Sequence, residues 1–545
     1  MRHQTVLGNG TFCSYRGIRY AEAPVGQLRF KAPVPTKRWN GTYNALEYGA
    51  ACLQPSATAH GSSEDCLFLN VFVPSPSICT TSNNIAVIVY IHGGGFLIGS
   101  AVDSLSGPHL MLNKCIILVT FNYRLGVFGF MPLALNEYSG NMGLKDQQLA
   151  LEWVNSHISA FGGNPKQITL WGHSAGAASV SLHRLNPKSR SLFKQAYIMS
   201  YSALSFAALS EPINKTDLIV NVARHEGVNI ENIDQLVKYI QAVDGKYFLK
   251  QTSRYGFKGK NITLYIEWIP CIELENAVNP FITEDPKVLL AQGVNISTIY
   301  SHTSMESIKH SIDIITDPNR ISYLNKNFTF ELPFIGIDQM SCKEEIAPLF
   351  TDIRRFYFGK HPIDAQIRPY IQLRSSVNFV YSIQKEIAIQ ALSNSTVDIR
   401  LLRVSQKTAL NNHQNISAAV DALGGTAHAD DLCSYFWCKV KSHIYDEVAP
   451  QETLLQKSTV KASEILREIL TSFAITGNPV SETASFDHFP TVGSDPLNKL
   501  PFAELHSMSA LVVGNNPDYE EFKFWWNIDQ RVEEIKKMPC NQKGL

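Results

Sequence analysis

Ile168-Thr169-Leu170-Trp171-Gly172-His173-Ser174-Ala175-Gly176-Ala177-Ala178-Ser179-Val180-Ser181-Leu182 runs without a break from an apolar stretch through a glycine turn into small residues. Ile168 to Trp171 predicts a short buried strand, and Ala177 to Leu182 predicts a helix. The pattern Gly172-x-Ser174-x-Gly176 between them fits a nucleophile elbow, in which serine occupies a sharp, strained strand-to-helix turn. Glycine is needed on both sides because side chains there would collide with the strand and the helix. Such a turn leaves the Ser174 hydroxyl exposed above the sheet edge, over a helix N-terminus that favours developing negative charge. A chance Gly-Ser-Gly turn would share the letters, so a second motif has to arbitrate.

That motif lies upstream, where Ile85 to Ile91 is a continuous apolar run followed by His92-Gly93-Gly94-Gly95-Phe96. A glycine-rich loop after a strand lets two backbone N–H groups approach one oxygen, and a single such donor is worth about 3 kcal/mol in a transition state. A nucleotide-phosphate loop is the alternative, but no Lys-Ser/Thr follows and no G-x-G-x-x-G is present. Two motifs in this chain order predict an acyl-transfer serine site.

Further out the same alternation continues. Leu67 to Val73 and Cys115 to Phe121 are strand-like, and uninterrupted runs of this kind suit parallel strands buried on both faces. Leu144 to His157 has apolar residues at helical spacing and is closed by Gly162-Gly163-Asn164-Pro165. Val294 to Tyr300 and Val397 to Val404 predict two more strands, and Lys461 to Ala474 a helix stopped by Gly477-Asn478-Pro479. The fold class is α/β. Ser205 to Asn295 carries no motif, and its position suits a cap over the site. No repeat, low-complexity tract or long linker divides the chain, which predicts one domain over residues 1–545 with insertions.

Composition narrows the function. Among 545 residues, 48 Lys+Arg balance 48 Asp+Glu, so the basic surplus needed to neutralise nucleic-acid phosphates is missing. With 18% charged and 45% hydrophobic residues, the chain can bury a large core and is not disordered. No apolar run approaches the roughly 18 residues of a membrane span. The N-terminal Met1-Arg2-His3-Gln4-Thr5 has no leader-like apolar region, and Gln542-Lys543-Gly544-Leu545 is no retention or prenylation signal. Ten scattered cysteines do not make a disulfide scaffold. Cys52 and Cys66 are the pair to link, because a short loop between flanking segments brings such Cα atoms within bridging range. Two reduced thiols are the alternative. Sequons at Asn9, Asn40, Asn214, Asn261, Asn295, Asn327, Asn394 and Asn415 suit a secreted chain. Compartment is left open between secretory and cytoplasmic.

Gly17-Ile18-Arg19-Tyr20-Ala21, Pro24-Val25-Gly26, Leu28-Arg29-Phe30 and Glu64-Asp65-Cys66-Leu67-Phe68-Leu69-Asn70-Val71 resemble the type-B carboxylesterase family, which includes the cholinesterases. So do Asn122-Tyr123-Arg124-Leu125-Gly126, Gly143-Leu144-Lys145-Asp146-Gln147, Phe161-Gly162-Gly163-Asn164-Pro165 and Phe473-Ala474-Ile475-Thr476-Gly477-Asn478-Pro479. The resemblance covers nearly the whole chain. It implies an α/β-hydrolase with a mixed, mostly parallel sheet flanked by helices. It also implies a cofactor-free, metal-free serine esterase acting on a small-molecule ester.

The elbow fixes the order serine, acid, histidine. By resemblance, His428 in Ala427-His428-Ala429-Asp430-Asp431-Leu432 is the general base, and Gly94, Gly95 and Ala175 supply the oxyanion N–H groups. Glu306, in the loop after Val294 to Tyr300, takes the place of the acid, with Ser301 and Ser307 where the family has glycines. Asp338 in Gly336-Ile337-Asp338 is its rival. Ser56 stands where cholinesterases carry a cation-binding tryptophan, which disfavours choline esters. Tyr201 stands where the family usually has glycine. An acyltransferase using the same acyl-enzyme is the alternative function. A non-catalytic, neuroligin-like adhesion module is a third, although nucleophile, glycine loop and histidine are all present here.

Overall fold

The computed structural model describes residues 1–538 except 8–9, 57–59, 81–82, 103–105, 134, 257–266, 333–342, 395, 412–421, 483, 507–510 and 517. Its centre is an eleven-stranded sheet. In chain order the strands are β1 (Arg2–Gln4), β2 (Thr11–Arg19), β3 (Ala51–Cys52), β4 (Ser62–Ser63), β5 (Phe68–Pro74), β6 (Ile85–Ile91), β7 (Ile116–Phe121), β8 (Gly163–His173), β9 (Gln195–Met199), β10 (Ser297–Thr303), β11 (Ile399–Val404), β12 (Pro501–Leu505) and β13 (Leu511–Asn515). β3 and β4 form a separate pair, and the large sheet runs β1-β2-β5-β7-β6-β8-β9-β10-β11-β12-β13. From β7 to β12 every neighbour is parallel, with antiparallel strands at both edges.

Residue type explains the layering. Every residue of β6 and β7 is buried, and both are dominated by β-branched and other aliphatic side chains, which suit a pleated surface covered on two sides. Alternate residues point to opposite faces. Val87, Val89, Ile91, Leu170, Ala196 and Ile198 join one core with helices α1 (Met142–His157) and α2 (Ala175–Leu185). Ile88, Tyr90, Trp171, Tyr197, Ile299 and Leu402 join another, under a long C-terminal helix over Leu454–Thr476. That helix starts at a Thr453/Gln456 capping box and stops at Gly477, whose φ of 85° is left-handed.

The strands Ile85 to Ile91, Leu67 to Val73, Cys115 to Phe121 and Val397 to Val404 and the helix Leu144 to His157 lie within two residues of where their sequence puts them. Two boundaries differ in a way that matters. β8 begins at Gly163, inside the breaker, because Gly162 alone turns the chain, at φ 83°. β10 starts later than Val294 and continues to Thr303, carried beyond the apolar run by pairing with β11 up to Thr303–Val404. Polar Ser301, His302 and Thr303 are thus strand residues, buried between neighbours.

The insertion between β10 and β11 holds α3 (Ile308–Ile315), α4 (Ile367–Ser375), the π-helical turn Ser376–Val380 and α5 (Tyr381–Ser393). Cys52 is bonded to Cys66, as the sequence led us to link them. Cys79–Cys115 and Cys433–Cys438 are also bonded, pairs that sequence reading missed. No helix among the described residues is long and apolar enough to cross a membrane.

Candidate active site

The C-terminal ends of β6, β8, β9 and β10 meet at one edge of the sheet, the customary place for ligands in open α/β sheets. β8 delivers Ser174 with φ 57° and ψ −127°. A non-glycine residue there costs of order 1–3 kcal/mol, held by the surrounding structure. The Ser174 N–H donates to Met199 O at 2.9 Å, and Ser174 O accepts from Ala177 and Ala178 N–H. The flanking glycines are required: a Cβ on Gly172 would stand 2.2 Å from Gly176 O, and one on Gly176 would stand 2.1 Å from Ile91 O.

The loop after β6 lies against this turn. A Cβ on Gly93 would come 2.6 Å from His173 O and 2.9 Å from Ser174 Cβ. Gly94 and Gly95 have φ of 114° and 62°. Gln54 clamps the far end of the loop, accepting from Gly99 N–H at 2.9 Å and donating to Gly99 O at 2.8 Å. Among the described residues no backbone acceptor takes the N–H of Gly94, Gly95 or Ala175. Free donors at this position are available to an incoming oxygen.

β10 delivers the carboxylate. Glu306 is fully buried and its Oε2 lies 2.7 Å from His428 Nδ1. Its Oε1 accepts from Ser200 Oγ and from Thr303 N–H, both at 2.7 Å. His428 N–H also donates to Glu306 O at 3.1 Å, so the two residues are joined through backbone as well as side chain. Ser307 sits at φ −87° and Ser301 lies within a strand, so neither position demands glycine's freedom. Asp338 lies outside the described residues.

Burial pushes the Glu306 carboxyl above the ordinary carboxylate range, while the Ser200 and Thr303 donors and nearby histidines pull it back. The His428 ring is packed by His173 and Phe379, both at 4.7 Å between centroids, and by His310 at 5.6 Å. Burial lowers the neighbouring histidines, His92 to about 4 and His310 to about 3, so they stay neutral at pH 7. Ser200, Thr303, His173, His310 and Phe379 escaped sequence reading as neighbours of the site. Ser200 could have been found only from the β9–β10 pairing, which sets it beside Ser301.

Ser174, Ala175, Gly94, Gly95 and His428 all line a cavity of about 520 Å³, with Tyr90, Phe96, Ile98, Val102, Phe379 and Leu432 among its apolar walls. From the segment 205–295 only Phe206 and Ala207 reach it among the described residues; Lys309, His310, Asn378 and Phe379 come from the β10–β11 insertion. Tyr201 lines the cavity and its hydroxyl accepts from Ala207 N–H. Ser56 is exposed and is not part of the wall.

The buried histidines make stability depend on pH. His183, inside α2, is lowered by burial to about 3. Below the unfolded value near 6.5 the unfolded chain binds protons that His92, His183 and His310 refuse, so stability rises with pH between about 4 and 6.5 and is lost on acidification. We expect the melting temperature to fall steadily from pH 7 to pH 4 and the His183→Gln variant to show a shallower slope. Identical slopes would show that His183 is not held neutral.

The family model of the carboxylesterase family matches residues 2–525. The juvenile hormone esterase of Tribolium castaneum is 31% identical over 487 residues, covering 86% of this chain and 80% of that protein. Venom carboxylesterase-6 of Apis mellifera is 27% identical over 532 residues, 94% of this chain and 90% of that one. The cholinesterase of Mus musculus is 39% identical over 303 residues, 53% of this chain and 48% of its own. The crystal structure of juvenile hormone esterase from Manduca sexta superposes with a TM-score of 0.79 at 24% identity, covering 97% of both chains, which confirms the α/β-hydrolase fold. With a family match spanning almost its full length, the chain belongs to the carboxylesterase family and is a carboxylic ester hydrolase.

Proposed function

We propose that Ser174, His428 and Glu306 form the catalytic triad of this esterase, and that the N–H groups of Gly94, Gly95 and Ala175 form its oxyanion hole. The observation that carries the reading is the pairing of the strained Ser174 turn with the 2.7 Å Glu306–His428 contact at one cavity. Ser174 Oγ attacks the ester carbonyl carbon while His428 Nε2 takes its proton, and the C=O electron pair moves onto the carbonyl oxygen among the three donors. Collapse expels the alkoxide, which His428 protonates, leaving an ester on Ser174. Water then repeats the sequence with His428 again as base. Glu306 stays ionised throughout, fixing the ring with Nδ1–H toward itself and stabilising the imidazolium. The cavity's size and apolar walls suit a small-molecule ester. We also infer one domain over residues 1–545, since the sheet draws strands from both ends of the chain.

Rapid mixing with a 4-nitrophenyl acyl ester, followed by acid quench and tryptic mass spectrometry, tests the nucleophile. A burst of nitrophenol matching the enzyme concentration is expected, with one acyl group on the Ser174 peptide. An acyl group on a different peptide would overturn the assignment.

A further inference from the structure

The cavity wall is uneven in polarity. Most of it is aromatic or aliphatic, but Lys309, His310 and Asn378 meet in one corner beside His428 and Phe379. Lys309 is exposed and makes no ion pair among the described residues, and it is the only Asp, Glu, Lys or Arg among the described residues lining the cavity. His310 lines the same corner, and its Nδ1 is buried with no hydrogen-bond partner among the described residues. Lys309 and the buried Arg374 both bear electrostatically on the His310 ring, and Arg374 Nη1 holds the His310 carbonyl at 2.9 Å. Among the described residues, the one formal charge on this part of the wall is therefore the positive charge of Lys309. The nearby carboxylate, Glu306, is committed to His428, Ser200 and Thr303 and lies behind the wall.

From this placement we propose that the cavity selects esters carrying a negative charge on the acyl or the alcohol part, with that carboxylate seated on the Lys309–His310–Asn378 corner. The inference deepens the catalytic reading and rests on it. Lys309 supplies the charge, the neutral His310 ring a hydrogen-bond donor that the apolar wall lacks, and the Asn378 amide a second donor. An apolar chain between the two ends would lie along Phe379, Phe96 and Leu432. A cationic ester meets the wrong sign at the same place.

The test compares kcat/KM for matched pairs: mono(4-nitrophenyl) glutarate against 4-nitrophenyl valerate for charge on the acyl part, and 4-butyryloxybenzoate against phenyl butyrate for charge on the alcohol part. In the parent enzyme the charged member of at least one pair is expected to be favoured relative to its spontaneous hydrolysis ratio. Lys309→Gln should cut that preference about 5-fold and Lys309→Glu about 20-fold, with the preference also falling as salt is raised. Reading a ratio within each variant removes general losses of folding or catalysis. Ratios in both pairs that are equal for parent, Gln and Glu variants overturn the proposal, while loss of acyl-Ser174 formation on every ester would instead overturn the catalytic reading.

Discussion

Ser174→Ala is expected to lower kcat/KM on a simple acyl ester by about 10⁵–10⁶-fold, because removing the nucleophile of a cooperating triad forfeits nearly all that the triad does. The fold should not suffer. Alanine occupies φ 57° no less readily than serine, and the hydrogen bonds that hold the turn run through the Ser174 backbone, to Met199 O and from Ala177 and Ala178 N–H. The melting temperature should therefore stay within a degree or two of the parent's. Turnover measured with active-site titration, beside a thermal melt, checks both halves. Activity within 100-fold of the parent, after contaminating esterase is excluded, would refute the role of Ser174.

Glu306→Gln is the second large effect, a loss of about 10⁴-fold in kcat with little change in KM. The reason lies in the donors around the carboxylate. Thr303 N–H and Ser200 Oγ–H both point at Oε1, and the first cannot reorient. A glutamine must therefore place its carbonyl oxygen there and turn its NH₂ toward His428 Nδ1. The ring is then held as the tautomer with the proton on Nε2, which cannot accept a proton from Ser174. Ser200→Ala in the same background should not restore the rate, because the fixed Thr303 N–H still holds the glutamine carbonyl oxygen at that position. A Glu306→Gln enzyme within 10-fold of the parent would show that Glu306 does not set the state of His428.

Much of this was legible in the residues, for physical reasons that differ along the chain. The strands of the sheet centre read clearly because burial on both faces leaves no polar interruptions, as in Ile85 to Ile91. The elbow and the glycine loop read clearly because close backbone approach admits only glycine, as the clashes at Gly172, Gly176 and Gly93 demonstrate. The surroundings of Glu306 did not. Ser301, His302 and Thr303 are polar, yet pairing with β11, and for Ser301 with β9 as well, makes them strand, so the length of β10 is settled by neighbours distant in sequence. Cys79–Cys115 and Cys433–Cys438 were missed because spacing alone cannot choose partners among ten thiols. Part of the cavity wall was equally hidden: Lys309, His310, Asn378 and Phe379 come from the β10–β11 insertion, whereas the segment 205–295 gives only Phe206 and Ala207 among the described residues.

The parallel centre of the sheet has a temporal consequence. Register between β9 and β10 joins Gln195 to Ser297, and register between β11 and β12 joins Leu402 to Ala503, so each closure must wait for a long stretch of intervening chain. Pairings of such sequence separation form slowly and late. Ser174, Glu306 and His428 hang on different segments of that sheet, and no early fragment holds two of them in contact. On the triad we propose, the growing chain would therefore carry no hydrolytic competence until residues past His428 have emerged.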